Sequence, residues 1–382
     1  MSQEEIRGLC LIKIRTITPD DLPGVMALVA KVDFPWRSEA GWHWALFENP
    51  QQGDIPAGFV AEREGAVVAM VGLQARDFIL DGAPVKAATG HTFIAGPEGR
   101  GSGPRLARRA LTYPGLAAVY SLNNNASSAG LYKKLGMNAW KGESARNRLE
   151  WPVRPLAMGA GLAFSRLARS DRMYDALSAR EWFPPLHIPL AAHAKKSLQA
   201  GDWLDPANPD DARALDAFDA DLRRSRQAVP VRSAPFYAYL LSDPDAPGRS
   251  VVLTARDGSK IIGLMLAILS KPNAYEPAGL DIVDLEFASG ASREATIACL
   301  VRVARKIARD SGAARLRLIF SDRFTAAELK GTGLRLHRRF SYDPAHALFA
   351  DQNGKLAEAW APTGFEGDFH FALRVAPQRA PR

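Results

Sequence analysis

Cysteine is almost missing: of 382 residues only Cys10 and Cys299 carry a thiol, and neither belongs to a C-x-x-C pair. That argues against a disulfide framework and against a structural zinc site, and no metal site is expected. Long apolar runs are missing too. The longest uncharged one near the middle, Pro155–Ser165, falls far short of the ~20 residues that span a bilayer. Met1–Lys13 holds acids and no apolar stretch, so no signal peptide is expected and the chain reads as soluble and cytoplasmic. Lys and Arg outnumber Asp and Glu, 49 to 41, yet no dense basic block is interleaved with aromatics. Nucleic acid is therefore not an expected partner. The mild basic excess suits a nucleotide phosphate or an anionic membrane surface.

What is present is ample material for a core, with 47% hydrophobic and 24% charged residues over a length that points to two domains. The first 150 residues alternate clearly. Ile12–Ile17 reads as a strand, and Thr18-Pro19-Asp20-Asp21 opens a helix with a capping hydroxyl, a proline and acids. A helix over Glu39–Phe47 stops at Asn49-Pro50. Strands Gly58–Glu62 and Ala66–Leu73 flank one turn, and Arg76–Leu80 and Pro84–Ala88 flank the hairpin signal Asp81-Gly82. Strand Thr89–Ala95, helix Pro104–Thr112, strand Leu116–Leu122 and helix Ala126–Leu135 follow. This order predicts a mixed α/β sheet with helices on both faces.

The second half echoes the first. Tyr239…Asp243-Pro244 follows the pattern of Trp44…Asn49-Pro50, and the turn around Gly258 follows that around Gly65 at nearly the same offset. The expected organisation is a first domain over 10–150, a helical linker over 151–200 and a second domain over 201–376. The linker's apolar Leu156–Leu167 reads as helix packing between domains. Arg166, Arg169 and Arg172 beside it leave a membrane-surface helix as the sharper alternative.

The segment Thr92–Leu106 carries the most chemistry. A strand runs into Gly96-Pro97-Glu98-Gly99-Arg100-Gly101-Ser102-Gly103-Pro104-Arg105, and a helix follows. Glycine lets successive N–H groups converge, and a helix N-terminus adds partial positive charge, as a diphosphate requires. Other glycine signatures fail here. No Gly-Lys-Ser/Thr ends the loop; Leu106 stands where a dinucleotide fingerprint needs a small residue; Arg100 and Pro104 stand where a hydrolase elbow around Ser102 needs glycines.

Arg100-Gly101-Ser102-Gly103-Pro104-Arg105 resembles the Arg/Gln-x-x-Gly-x-Gly/Ala loop of the GNAT superfamily of N-acyltransferases, and departs from it at Arg105. Asn125-Ala126-Ser127-Ser128-Ala129-Gly130-Leu131-Tyr132-Lys133-Lys134-Leu135-Gly136 resembles that superfamily's Asn-x-x-Ala-x-x-Leu-Tyr-x-Lys-x-Gly block. The pairing of Trp42/Trp44 with the Asn-rich Leu122–Asn125 is similar to members linked to bacterial polysaccharides and amino sugars. The resemblance implies tandem GNAT-like domains, the C-terminal copy degenerate. It further implies an acyl-CoA co-substrate, acetyl-CoA in the first place, held by Phe93, Ile94, Ala95, Arg100, Gly101, Ser102, Gly103, Pro104, Arg105 and Asn125.

Under that resemblance an amine, on an amino sugar or another small molecule, attacks the thioester directly, and Tyr132 is the candidate general acid. His91 titrates in the range a base needs, with Glu98 and Glu48 as weaker alternatives. Asp368, after Trp360-Ala361-Pro362-Thr363, is a candidate for binding the acceptor. A non-catalytic scaffold and a membrane-surface enzyme fed by acyl carrier protein are the rival readings. Monomer and homodimer both remain open.

Overall fold

Strand β1 (Lys13–Thr16) ends in the start signal that the sequence announces. The Asp21 carboxylate accepts from the Thr18 N–H at 2.9 Å and from its hydroxyl at 3.1 Å, and Arg15 clamps the same carboxylate at 2.6 and 2.7 Å. Helix α1 (Leu22–Lys31) follows, then α2 (Glu39–Phe47), whose N-cap Ser38 accepts from the Gly41 N–H at 2.9 Å. The computed structural model describes residues 12–32, 34–183, 188, 202–320, 323–350 and 354–372.

Strands β2 (Gly58–Arg63), β3 (Ala66–Leu80) and β4 (Ala83–Ala95) form an antiparallel meander. β3 and β4 are each continuous, where the sequence pattern suggested two pieces apiece. Gln74 and Arg76 interrupt the apolar alternation of β3, but both are buried by the C-terminal half instead of turning out to solvent. Helix α3 (Gly103–Leu111) crosses over, and β5 (Leu116–Ser121) returns parallel to β4. Helix α4 (Ala126–Lys134) and β6 (Asn138–Ala139) complete this part.

Next in the chain, β7 (Asn147–Pro152) leaves for the other sheet, followed by α5 (Pro155–Leu167), α6 (Asp171–Ser178), β8 (Asp202–Trp203), α7 (Pro209–Ser225) and β9 (Ala228–Pro230). Helix α8 (Ala234–Leu241) precedes a second meander, β10 (Ser250–Asp257), β11 (Lys260–Ser270) and β12 (Gly279–Phe287). Helix α9 (Arg293–Asp310) crosses to β13 (Arg315–Ile319), parallel to β12; β14 (Leu336–Arg339), β15 (His346–Phe349) and α10 (Phe369–Ala372) end the described chain.

The two sheets exchange strands. Among the described residues the first runs β1-β2-β3-β4-β5-β15-β6, with β9 beside β3, and the second runs β8-β10-β11-β12-β13-β7-β14. β7 lies between β13 and β14, while β15 lies between β5 and β6. The first half thus supplies β7 to the second sheet, and the second half supplies β15 and β9 to the first. An inner core joins them, with Trp42, Trp44, Phe78, Tyr120, Phe236 and Trp360 buried together. Separate clusters lie beneath α3 and beneath α9 on the outer faces. The inner seam is also polar. Arg37 grips Asp243 at 2.9 and 3.0 Å, and Arg232 grips Asp284 at 2.9 and 3.0 Å, all four buried.

Candidate active site

β4 and β5 pair only from Lys86–Thr89 against Leu116–Tyr120. Beyond that point β4 keeps its partner β3 and loses β5. A bulge helps it turn: two residues, Thr92 and Phe93, oppose the single Val71 between the Met70–Ile94 and Gly72–His91 pairs, and Thr92 takes a φ of 48°. The unpaired side of Phe93, Ile94 and Ala95 therefore borders a wedge between two parallel strands. A cavity of about 30 Å³ sits in it, lined by Gly90, Phe93, Val119, Tyr120, Tyr132 and Met137 among others.

At the mouth of the wedge lies the glycine loop. The Gly99 backbone is pressed on β3, where a Cβ would stand 2.3 Å from the Val68 carbonyl oxygen. Ser102 is buried and its Oγ donates to the Gly99 carbonyl at 2.6 Å; its N–H donates there too at 3.1 Å. The Arg105 and Leu106 amides both turn to the Ser102 carbonyl. The Gly101 and Gly103 amides have no acceptor among the described residues, and Gly101 holds a φ of 87° that favours glycine. Pro104 stands in the first turn of α3, and no acid occupies that turn. Phe93 packs on Gly103, its Cζ 3.4 Å from where a Cβ would be. Arg100 is exposed beside these amides. Arg105 leans the other way, toward the Ile12 carbonyl at 3.4 Å.

Tyr132 faces the wedge from α4. Its ring stacks on His346 of β15 with centroids 6.0 Å apart, and the Asn124 amide holds the His346 Nδ1 at 2.9 Å. The exchanged strand thus supports the tyrosine. Burial pushes the Tyr132 hydroxyl up to about 12; the Asp368 charge adds to this and the Ser121 hydroxyl offsets part of it. Asn125, expected at the cofactor, stands as the N-cap of α4. Its side-chain oxygen accepts from the Ser128 N–H at 2.8 Å and its own N–H donates to the Ser128 hydroxyl at 3.1 Å, which caps α4.

Behind the wedge, alternation places Gln74 and Arg76 of β3, Thr89 and His91 of β4 and Tyr120 of β5 on the face turned toward the C-terminal half. Residues 366–371 cover that face. Tyr120 donates to the Glu366 carbonyl at 2.8 Å, and Arg76 donates to the Gly367 carbonyl at 3.2 Å. Six buried atoms here have no hydrogen-bond partner among the described residues: Arg76 Nε, Thr89 Oγ1, His91 Nε2, Glu366 Oε1, Asp368 Oδ1 and His370 Nε2. Burial pushes the Asp368 carboxyl up to about 7, against a smaller opposing pull from its own backbone N–H and from Arg76.

His91, the candidate base, is packed inside the fold. Its ring lies on Gly72, where a Cβ would come within 2.2 Å of Cε1, and against Phe371 at 4.9 Å between centroids. Burial, aided by the Arg76 and Arg37 charges, pushes its pKa down to about 3, so it holds a proton poorly at neutral pH. Glu98 is exposed and faces Lys31 at 3.4 Å, and Glu48 is bonded to His43 at 2.9 Å. Arg76, Asn124 and His346 escaped the sequence reading. For Arg76 a signal existed, since period-two alternation from Phe78 already turned it inward.

No family model and no curated protein matches this sequence. Solved structures match in shape. A probable N-acyltransferase of unknown function from Enterococcus faecalis V583 aligns at a TM-score of 0.53 and 11% identity, over 91% of this chain and 73% of that one. Saccharomyces cerevisiae N-myristoyltransferase with bound myristoyl-CoA aligns at 0.53 and 10%, over 88% and 78%. A GCN5-related N-acetyltransferase from Anabaena variabilis aligns at 0.52 and 13%, over 91% and 75%. At such identities the likeness establishes the fold, which is the mixed α/β fold of GNAT N-acyltransferases.

Proposed function

We propose that this chain is an N-acyltransferase that takes a short acyl group, acetyl in the first place, from an acyl-CoA and places it on a small amine such as an amino sugar. The observation that carries the reading is the pairing of a wedge between β4 and β5 with two free glycine amides at its mouth. The Gly101 and Gly103 N–H groups, the α3 N-terminus and Arg100 suit a diphosphate. The unpaired edge of Phe93, Ile94 and Ala95 suits the amides of a pantetheine arm, added like a further strand.

Two side chains divide the proton traffic. Tyr132, held protonated by its raised pKa, donates to the departing thiolate. Asp368, with a pKa of about 7 and a free Oδ1, accepts the proton that an ammonium must lose before it attacks. The unpartnered polar atoms around Asp368 suit an acceptor that bears hydroxyls. Calorimetric titration with acetyl-CoA tests the reading: saturable binding is expected, and no heat at millimolar ligand removes it. Tyr132→Phe should bind equally well while kcat falls by about 10²-fold or more; an unchanged rate takes the acid role from Tyr132.

A further inference from the structure

Five large hydrophobic side chains are exposed among the described residues, and all five lie within one short stretch: Leu156 at 91%, Leu162 at 39%, Leu167 at 50%, Tyr174 at 47% and Trp182 at 37%. The stretch contains α5 and α6. One side of α5 is seated on the body of the protein: Gly161 is buried, and a Cβ there would come 2.4 Å from Pro277 Cδ. Leu156, Ala163 and Leu167 recur at helical spacing on the side turned away, all exposed. The sequence expectation of a helix packed between domains therefore holds for one face only. Trp182 extends the apolar surface, since its ring meets Phe164 at 4.8 Å, its backbone N–H donates to the Ala274 carbonyl at 3.1 Å and its indole N–H donates to the Leu177 carbonyl at 3.1 Å.

Arginines rim this surface. Arg154, Arg166, Arg169, Arg172 and Arg180 are exposed, and none pairs with a carboxylate among the described residues. Three carboxylates lie nearby, Asp171, Asp175 and Glu181, of which Glu181 is tied to Lys271. A convex helix with leucines outward, arginines beside them and Tyr and Trp at the edge matches a headgroup layer. A second copy of the chain would bring the same arginines face to face, which disfavours self-association.

We infer that α5, α6 and the Trp182 segment form a peripheral docking surface for an anionic lipid bilayer, inserting the leucines while the arginines meet lipid phosphates. The surface is separate from the wedge, so the test needs no acyl donor. Full-length chain is floated with phosphatidylcholine vesicles that contain or lack phosphatidylglycerol. Binding to the anionic vesicles alone is expected, with loss at high salt. Arg166→Gln with Arg169→Gln should weaken partitioning about 25-fold, at roughly fivefold per arginine. Leu156→Ser, Leu162→Ser and Leu167→Ser together should abolish it, with melting temperatures near the parent's because these side chains are exposed. Failure of the parent to float, or a leucine variant that floats as well as the parent, overturns the inference. So does a concentration-dependent dimer that the leucine variant disperses, which would give this face to a second copy.

Discussion

Asp368 and His91 sit in one buried polar cluster and titrate in opposite senses. Asp368 in the folded chain has a pKa of about 7 against an ordinary 3.8, so the folded state binds more protons between those values. Stability from this group is fully present at low pH and is lost as pH rises toward 7. His91, pushed from 6.5 to about 3, works the other way: its contribution is present above 6.5 and is lost as pH falls toward 3. Comparing Asp368→Asn with the parent isolates the carboxylate. The variant should melt higher than the parent above pH 7 and gain nothing near pH 4; equal melting curves at pH 8 would remove the buried carboxylate from the account. In turnover the same variant should lose about 10²-fold or more in kcat. If kcat/KM keeps a rising limb near pH 7 without Asp368, the base lies elsewhere.

The glycines of the loop do two different jobs. Gly99 permits contact between the loop and β3, for a Cβ would meet the Val68 oxygen at 2.3 Å. Gly101 has open space around it and is constrained only by its φ of 87°. Gly99→Ala should therefore lower stability by about 1–3 kcal/mol through a forced backbone shift. Gly101→Val, a β-branched residue at positive φ, should also cost about 1–3 kcal/mol but, unlike Gly99→Ala, should weaken acetyl-CoA binding about tenfold, because the strained residue re-aims the free amide. Thermal melts and titration on both variants check the pair, and unweakened binding by Gly101→Val would show that the loop is structural only. The existence of this loop and its helix was legible because glycine, proline and the apolar spacing of α3 are local signals. The bulge at Thr92 was not legible. It depends on β3 holding its register while β4 takes an extra residue, and neither strand records that alone.

At the scale of the molecule the exchanged strands make each half depend on the other. β15 covers the outer edge of β5 and carries the histidine that stacks on Tyr132. Arg37 is buried with its partner Asp243 on the far half. A fragment ending at residue 145 would leave β5 without its neighbour and the aromatic inner core without its cover. It should show no cooperative unfolding transition by circular dichroism; a sharp transition like the parent's would make the first half independent. Among the described residues no helix is long and apolar enough to cross a membrane.

Local patterning by itself determined most elements of the first 150 residues, β3 and β4 apart, and the glycine loop, because propensity, capping and turn chemistry act over a few neighbouring residues. Tertiary structure decided which strand joined which sheet, where Arg76 and Asp368 meet, and that one face of α5 stays bare. These depend on chain segments hundreds of positions apart, and burial, with smaller contributions from neighbouring charges and hydrogen bonds, sets the proton affinities of His91, Tyr132 and Asp368.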